Sequence, residues 1–293
     1  MGQTSIPHRL AWPALLLGNV ALAFGPWLVR LADTGPIAVG FWRVALALPF
    51  LWLLARAAGQ PVHWPGRKLA LAIALAAAFF AADLAAWHAG IRLTKLGNAT
   101  LFGNFGSFAF AAYGLWMARK WPTHIQAVAL ALAAAGCAAL MAGSAELSAR
   151  HLRGDILALA AGLLYTGYLI FVERTRSRLE PLPLLFLASL FAAVLLLPAS
   201  MMLGERVMPL SWSPLLILAL SSQVVGQGLL VFALSQVPPL VVGLALLTQP
   251  AISAFIGWAA YGETLTGLDW TGAAAIGIAL VLVRLRRRSR LPT

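Results

Sequence analysis

Long apolar runs with almost no charge inside them constrain this chain more than any other feature. About 20 consecutive apolar residues span a bilayer as a helix. Ten stretches qualify when charges are taken as the breaks, at about 11–31, 36–55, 69–91, 96–118, 124–143, 154–172, 182–203, 213–235, 239–261 and 268–285. Only 10% of the residues are charged and 61% are apolar, with mean hydropathy +0.86, against about 25% and about 45–50% in soluble domains. Almost nothing remains for a soluble domain. The short connections make sequential helices antiparallel neighbours. The expected fold is therefore all-α, a polytopic membrane bundle of ten transmembrane helices. The first residues, MGQTSIPHRL, are read as a short tail before the first span rather than a cleaved leader. Cys137 is the single cysteine, sits in an apolar stretch and is expected to be a small packing residue.

The net charge of +12 does not point to nucleic acid, because the basic residues alternate between loop sides. One side has Arg9, Arg56, Arg67, Lys68, Arg119, Lys120, Arg174, Arg176, Arg178 and the RLRRRSR tail, whereas the other has only Arg30, Arg92, Lys95, Arg150, Arg153 and Arg206. The richer side is cytoplasmic by the positive-inside rule, which puts both termini there. The tail is then an anchor on anionic lipid.

At an offset of 143 residues, Gly90–Lys120 lies over Ala233–Glu263, so that Gly114 meets Gly257 and Lys120 meets Glu263. Five spans in each half force the halves into opposite orientations, and inverted repeats point to a transporter with its site near the midplane. The expected units are 1–148 and 149–293, two inverted-topology five-helix repeats around a central cavity.

The second half, ALSQVPPLVVGLALLTQPAISAFIGWAAYGETLTGLDWTGAAAIGIALVLV, resembles the EamA repeat of the drug/metabolite transporter superfamily. The likeness is in a small-residue helix, Pro250, the Gly262–Glu263 pair and the Gly-rich helix around Gly272. The first half resembles it through FWRVALALPFL and AGIRLTKLGNATLF, and departs at Ser107 and Lys120, where the second half has Pro250 and Glu263. Ten spans and the GNATLFGNFGSFAF segment are similar to the YddG-type amino-acid exporters. The resemblance implies a ten-helix basket with a central cavity, exporting aromatic or other neutral amino acids across a bacterial-type inner membrane.

Ionisable residues inside a span are costly and demand an explanation. Arg43 and Asp83 both lie roughly 10 Å deep at 1.5 Å per residue. They are either a structural or gating ion pair or contacts for a zwitterionic substrate or coupling proton. Phe80, Asp83 and Trp87 share one face of the third span, with His88 following. Trp87 and His88 suit either an interfacial belt or the cavity. Gln223 and Gln227 share a face of the eighth span, and Gln249 and Ser253 share one around Pro250. Their amides suit either substrate binding or helix-to-helix bonding. Tyr165, Tyr168 and Trp27 suit either an aromatic lining or packing. Thr100, Asn104 and Ser107 form one stripe of the fourth span, with Asn104 the expected substrate contact and Asn98 a gate candidate. Glu263 is expected to be a solvated helix end.

The function expected is secondary transport, the export of aromatic or neutral amino acids or similar small metabolites by alternating access. No Walker A loop is present for ATP. A cationic multidrug exporter on the same fold is the alternative. An intramembrane enzyme is the distant one, since there is no His-Glu-x-x-His and no histidine near the deep Gly106–Ser107 pair. No catalytic residue, cofactor or metal is expected. The expected partners are a small-molecule substrate and the lipid bilayer, with no nucleic acid and a monomer as the simplest assembly.

Overall fold

A computed structural model describes residues 10–94, 96–119, 121–144, 149–262 and 266–288, with the side chains of 97, 98, 140–144, 149, 261, 269 and 283–288 also outside the description. The described residues are helical, with no strand. In chain order the helices are α1 (Ala11–Ala23), α2 (Gly25–Leu31), α3 (Pro36–Ala45), α4 (Leu48–Ala57), α5 (Arg67–Ile91), α6 (Leu96–Gly103), α7 (Phe105–Ala118) and α8 (His124–Ser144). Then come α9 (Ala149–Thr175), α10 (Pro181–Met202), α11 (Ser213–Leu218), a π-helical segment (Ala219–Gln227), α12 (Gly228–Leu234), α13 (Pro239–Leu246), α14 (Gln249–Tyr261) and α15 (Gly267–Arg288).

Among the described residues, seven helical segments are long and apolar enough to cross a membrane: Ala11–Leu31, Pro36–Ala57, Arg67–Ile91, Arg150–Thr175, Pro181–Met202, Ser213–Leu234 and Pro239–Ala260. The fourth expected span runs over α6 and α7, divided at Asn104, and the fifth and tenth lie in α8 and α15, whose described apolar parts are His124–Ala139 and Trp270–Leu282. Leu17, Leu71, Ile156, Val194, Ile217 and Val281 are exposed on the outsides of their helices. So much outward apolar surface suits lipid rather than water.

Several of these segments are broken part-way, and the breaks have local causes. Pro26, Pro49 and Pro250 each lack the N–H that would continue the ladder, and the chain turns at Phe24, at Leu46–Ala47 and at Leu247–Thr248 just before them. No proline explains the break at Asn104. There the side chain competes with the ladder: Asn104 Nδ2 donates to the Thr100 carbonyl (2.8 Å) and Ser107 Oγ to Asn104 Oδ1 (3.3 Å). Thr100 Oγ1 donates to the Leu96 carbonyl (2.8 Å), so the stripe satisfies itself within its own helices.

Small residues set the seams. α7 packs on α13 and α6 on α14, so the two broken segments cross with their breaks near the centre. α5 packs on α9, and α1 on the π-helical segment and α12. A Cβ on Gly162 would meet the backbone of Gly103 and Gly106, and one on Gly18 the Gly226 carbonyl at 3.0 Å. These backbones approach as small-residue interfaces allow.

At one end of the bundle the loops are tied together. Glu205 accepts from the N–H groups of Ile37 (3.2 Å) and Ala38 (2.8 Å) at the start of α3, a favourable place for an anion. Asp33 accepts from Leu210 (2.8 Å) and Ser211 (3.2 Å), and Trp42 Nε1 donates to the Val207 carbonyl (2.7 Å).

Candidate functional site

A cavity opens where the breaks meet. It is lined by Leu22, Arg43, Phe80, Asp83, Trp87, Gly103, Asn104, Ser107, Tyr165, Ser222, Gln227, Leu246 and Gln249. Its volume is about 60 Å³, room for roughly four to six waters at 10–15 Å³ each.

Nine of the residues singled out in the sequence are brought together on this wall: Arg43, Phe80, Asp83, Trp87, Asn104, Ser107, Tyr165, Gln227 and Gln249. α3 carries Arg43, α5 carries Phe80, Asp83 and Trp87 on one face, and α9 carries Tyr165. Gln227 Nε2 donates to the Tyr165 hydroxyl (3.0 Å) and Gln249 Nε2 to Asn19 Oδ1 (3.0 Å). Ser253 Oγ donates to the Ala23 carbonyl (3.1 Å), where α1 ends. A neighbouring helix thus satisfies backbone freed by a break, as spanning segments require.

Four expected residues lie elsewhere. Trp27 packs with Leu28, Val29 and Leu218 in a separate apolar cluster and meets Phe24 edge-on at 6.4 Å. Tyr168 is enclosed behind the wall, stacked on Phe80 at 4.5 Å. His88 is buried with Nδ1 3.1 Å from the Pro36 carbonyl, which can only accept, so that nitrogen holds the proton. Gln223 is buried behind Arg43. The side chain of Asn98 and all of Glu263 lie outside the described residues.

Arg43 and Asp83 share the cavity without pairing. Among the described residues no contact within 4.0 Å joins their charged atoms, and Arg43 Nε instead donates to Gln223 Oε1 (3.3 Å). The carboxylate of Asp83 takes no hydrogen bond there. Neither its oxygens nor the Arg43 Nη atoms are among the enclosed polar atoms lacking partners, so both groups open onto the cavity. The guanidinium also lies 6.0 Å from the Phe80 ring, at the edge of cation–π range.

Leu22, Gly103, Ser222 and Leu246 complete the wall, and sequence reasoning passed over them. Leu22 and Leu246 are ordinary apolar residues and Gly103 is one glycine among 26. Ser222 adjoins Gln223 and had that neighbour as its only signal.

Helices long enough to cross a bilayer, broken part-way around a polar cavity, define a multi-pass membrane protein. Residues 152–285 match the model of the EamA-like transporter family. The threonine/homoserine exporters RhtA of Salmonella typhimurium strains SL1344 and LT2 are each 29% identical to the chain over 192 residues, or 65% of this chain and 63% of theirs. The chain thus spans under two thirds of the length of these relatives. The family and both relatives are transporters rather than enzymes. A protein of known crystal structure superimposes with a TM-score of 0.75 over 96% of this chain and 98% of its own, at 14% identity, a likeness of fold.

Proposed function

We propose that this protein is a secondary exporter of small neutral amino acids, working by alternating access. The observation that carries the reading is the cavity in which Arg43 and Asp83 stand unpaired. Buried charges are costly without partners, and a zwitterion supplies both: its carboxylate for Arg43 and its ammonium for Asp83. Trp87, Tyr165, Asn104, Gln227 and Gln249 then surround the side chain. About 60 Å³ of water-accessible space suits a small amino acid with modest widening, and an indole only with much more. Threonine and homoserine, which the relatives' name gives them, are of the favoured size.

The ten-span, two-repeat arrangement is part of the proposal, with units 1–148 and 149–293. The offset of 143 brings the Asn104 break over Leu247, and brings Arg119 over Gly262, both left-handed helix ends (φ 48° and 66°). The packing is reciprocal as well. α5 of the first half meets α9 of the second, and α1 of the first meets the π-helical segment and α12 of the second. Both features support an inverted pair. Cytoplasmic termini in a bacterial-type inner membrane follow from the loop charges.

A quaternary ammonium exporter is disfavoured by the guanidinium in the same cavity. Asp83 is the residue proposed for any coupling proton, and Asn98 keeps its place as a proposed gate. Counterflow in proteoliposomes with threonine, homoserine, alanine, tryptophan and tetraethylammonium tests the reading. Threonine-sized zwitterions should exchange fastest. Movement of tetraethylammonium alone would overturn it.

A further inference from the structure

Gln223 is set back from the cavity, fully buried, and bonded on both sides. Its amide oxygen accepts from Arg43 Nε (3.3 Å) and its amide nitrogen donates to Ser189 Oγ (3.0 Å), itself fully buried. We infer that Gln223 and Ser189 form a positioning relay that holds the Arg43 guanidinium end-on to the cavity and thereby selects substrates carrying a carboxylate. The inference rests on the reading of Arg43 as the carboxylate site.

The bonding leaves little freedom. Nε of arginine can only donate, so the Gln223 amide must turn its oxygen toward Arg43 and its nitrogen toward Ser189, whose hydroxyl oxygen accepts. With Nε engaged, the outer edge made by the two Nη groups is what the planar guanidinium has left for a bidentate carboxylate. Both Nη groups open onto the cavity, as described above. The Phe80 ring, backed by Tyr168, borders the guanidinium as well.

Three segments from distant parts of the chain meet in the relay: α3, α10 and the π-helical segment Ala219–Gln227. A π turn is rare and often marks a functional site. In this one Gln223 backs Arg43 while Gln227 lines the cavity. Residues four apart in the sequence thus serve one site in two ways.

The test compares threonine with threoninamide, which lacks the carboxylate charge, as competitors of labelled threonine uptake into proteoliposomes. Wild type should prefer threonine by about tenfold or more, the range of a charge-assisted contact. Gln223→Met should lose most of that preference through weaker threonine binding, with threoninamide little changed. Ser189→Ala should lose a smaller part, and Ser189→Thr, which keeps the hydroxyl, should retain it. Ser189→Ala removes a single oxygen and carries the test if Gln223→Met does not fold. Equal loss for both competitors, the mark of a packing role, would overturn the relay. So would full preference in both Gln223→Met and Ser189→Ala. A wild type indifferent to the carboxylate would instead overturn the zwitterion reading beneath it.

Discussion

Adding one methyl group at Gly162 tests whether the close crossing of α9 with α6 and α7 holds the cavity in shape. An ideal Cβ there would lie 3.0 Å from both Gly103 C and Gly106 N and closer still to the Gly103 carbonyl oxygen. Ordinary contact begins near 3.4 Å, so the helices must part by a sizeable fraction of an ångström along that line. Overpacking of this kind costs about 1–3 kcal/mol. It opposes the gain of about 0.8–1.0 kcal/mol that alanine brings over glycine in a helix. The crossing also holds the bond from Thr166 Oγ1 to the Gly106 carbonyl (2.8 Å), whose loss adds about 0.5–1.5 kcal/mol. A net loss of about 1–3 kcal/mol follows, roughly a 5- to 150-fold shift in the unfolding equilibrium. Because Gly103 lines the cavity, transport should fall with it. Denaturant titration of purified protein in mixed micelles measures the stability, and counterflow measures transport. Gly277→Ala is the control, since its Cβ would meet nothing within 4 Å, and it should be neutral or slightly stabilising. Equal stability and transport in the two variants would refute the argument that the seam positions the site.

Arg119→Gly should stabilise the protein by about 1 kcal/mol in the same titration, because Arg119 is an exposed residue held at φ 48° where glycine costs less. Glu205→Ala strips the acceptor from two N–H groups of α3 and should cost about 1–3 kcal/mol. It should also speed labelling of a cysteine placed at Ser222, from the side that holds the 203–212 loop, and unchanged labelling would show that the Glu205 contacts do not restrict access from that side. Gln227→Ala leaves the Tyr165 hydroxyl without its donor and should lower transport severalfold while folded protein is still recovered. Uptake at the wild-type level would remove Gln227 from the site.

The sequence made the membrane class and most of the elements legible, because charge and hydropathy act over whole segments. Pro250 was expected to bend its span, and the chain turns just before it at Leu247–Thr248, because a missing N–H is a property of the residue itself. The break at Asn104 was not legible in the same way. An asparagine in a helix either points outward or competes for backbone, and only the geometry shows Nδ2 on the Thr100 carbonyl. The face shared by Phe80, Asp83 and Trp87 followed from helical spacing in an unbroken α5. Gln223 and Gln227 were expected to act alike on one face, but Gln223 backs Arg43 while Gln227 lines the cavity, a division that helical spacing does not signal. Arg43 and Asp83 were legible as deep charges at similar depth. Depth fixes neither rotamer nor partner, so the ion pair they suggested gave way to separate exposure on one wall. Tyr168 and Trp27 show the general limit: an aromatic residue at the right depth packs behind a wall as readily as on it.

The central claim, a zwitterion held between Arg43 and Asp83, is tested most directly by calorimetric binding to the purified protein. Threonine would be compared with its methyl ester and its N-acetyl derivative in wild type, Arg43→Gln and Asp83→Asn. Each capped compound should bind wild type about 10- to 150-fold more weakly, the value of one charge-assisted contact of about 1.5–3 kcal/mol. The ester should lose nothing further in Arg43→Gln, nor the N-acetyl compound in Asp83→Asn, since each cap and its matching substitution remove the same interaction. Capped compounds that bind as tightly as threonine, or caps and substitutions whose effects simply add, would contradict the account.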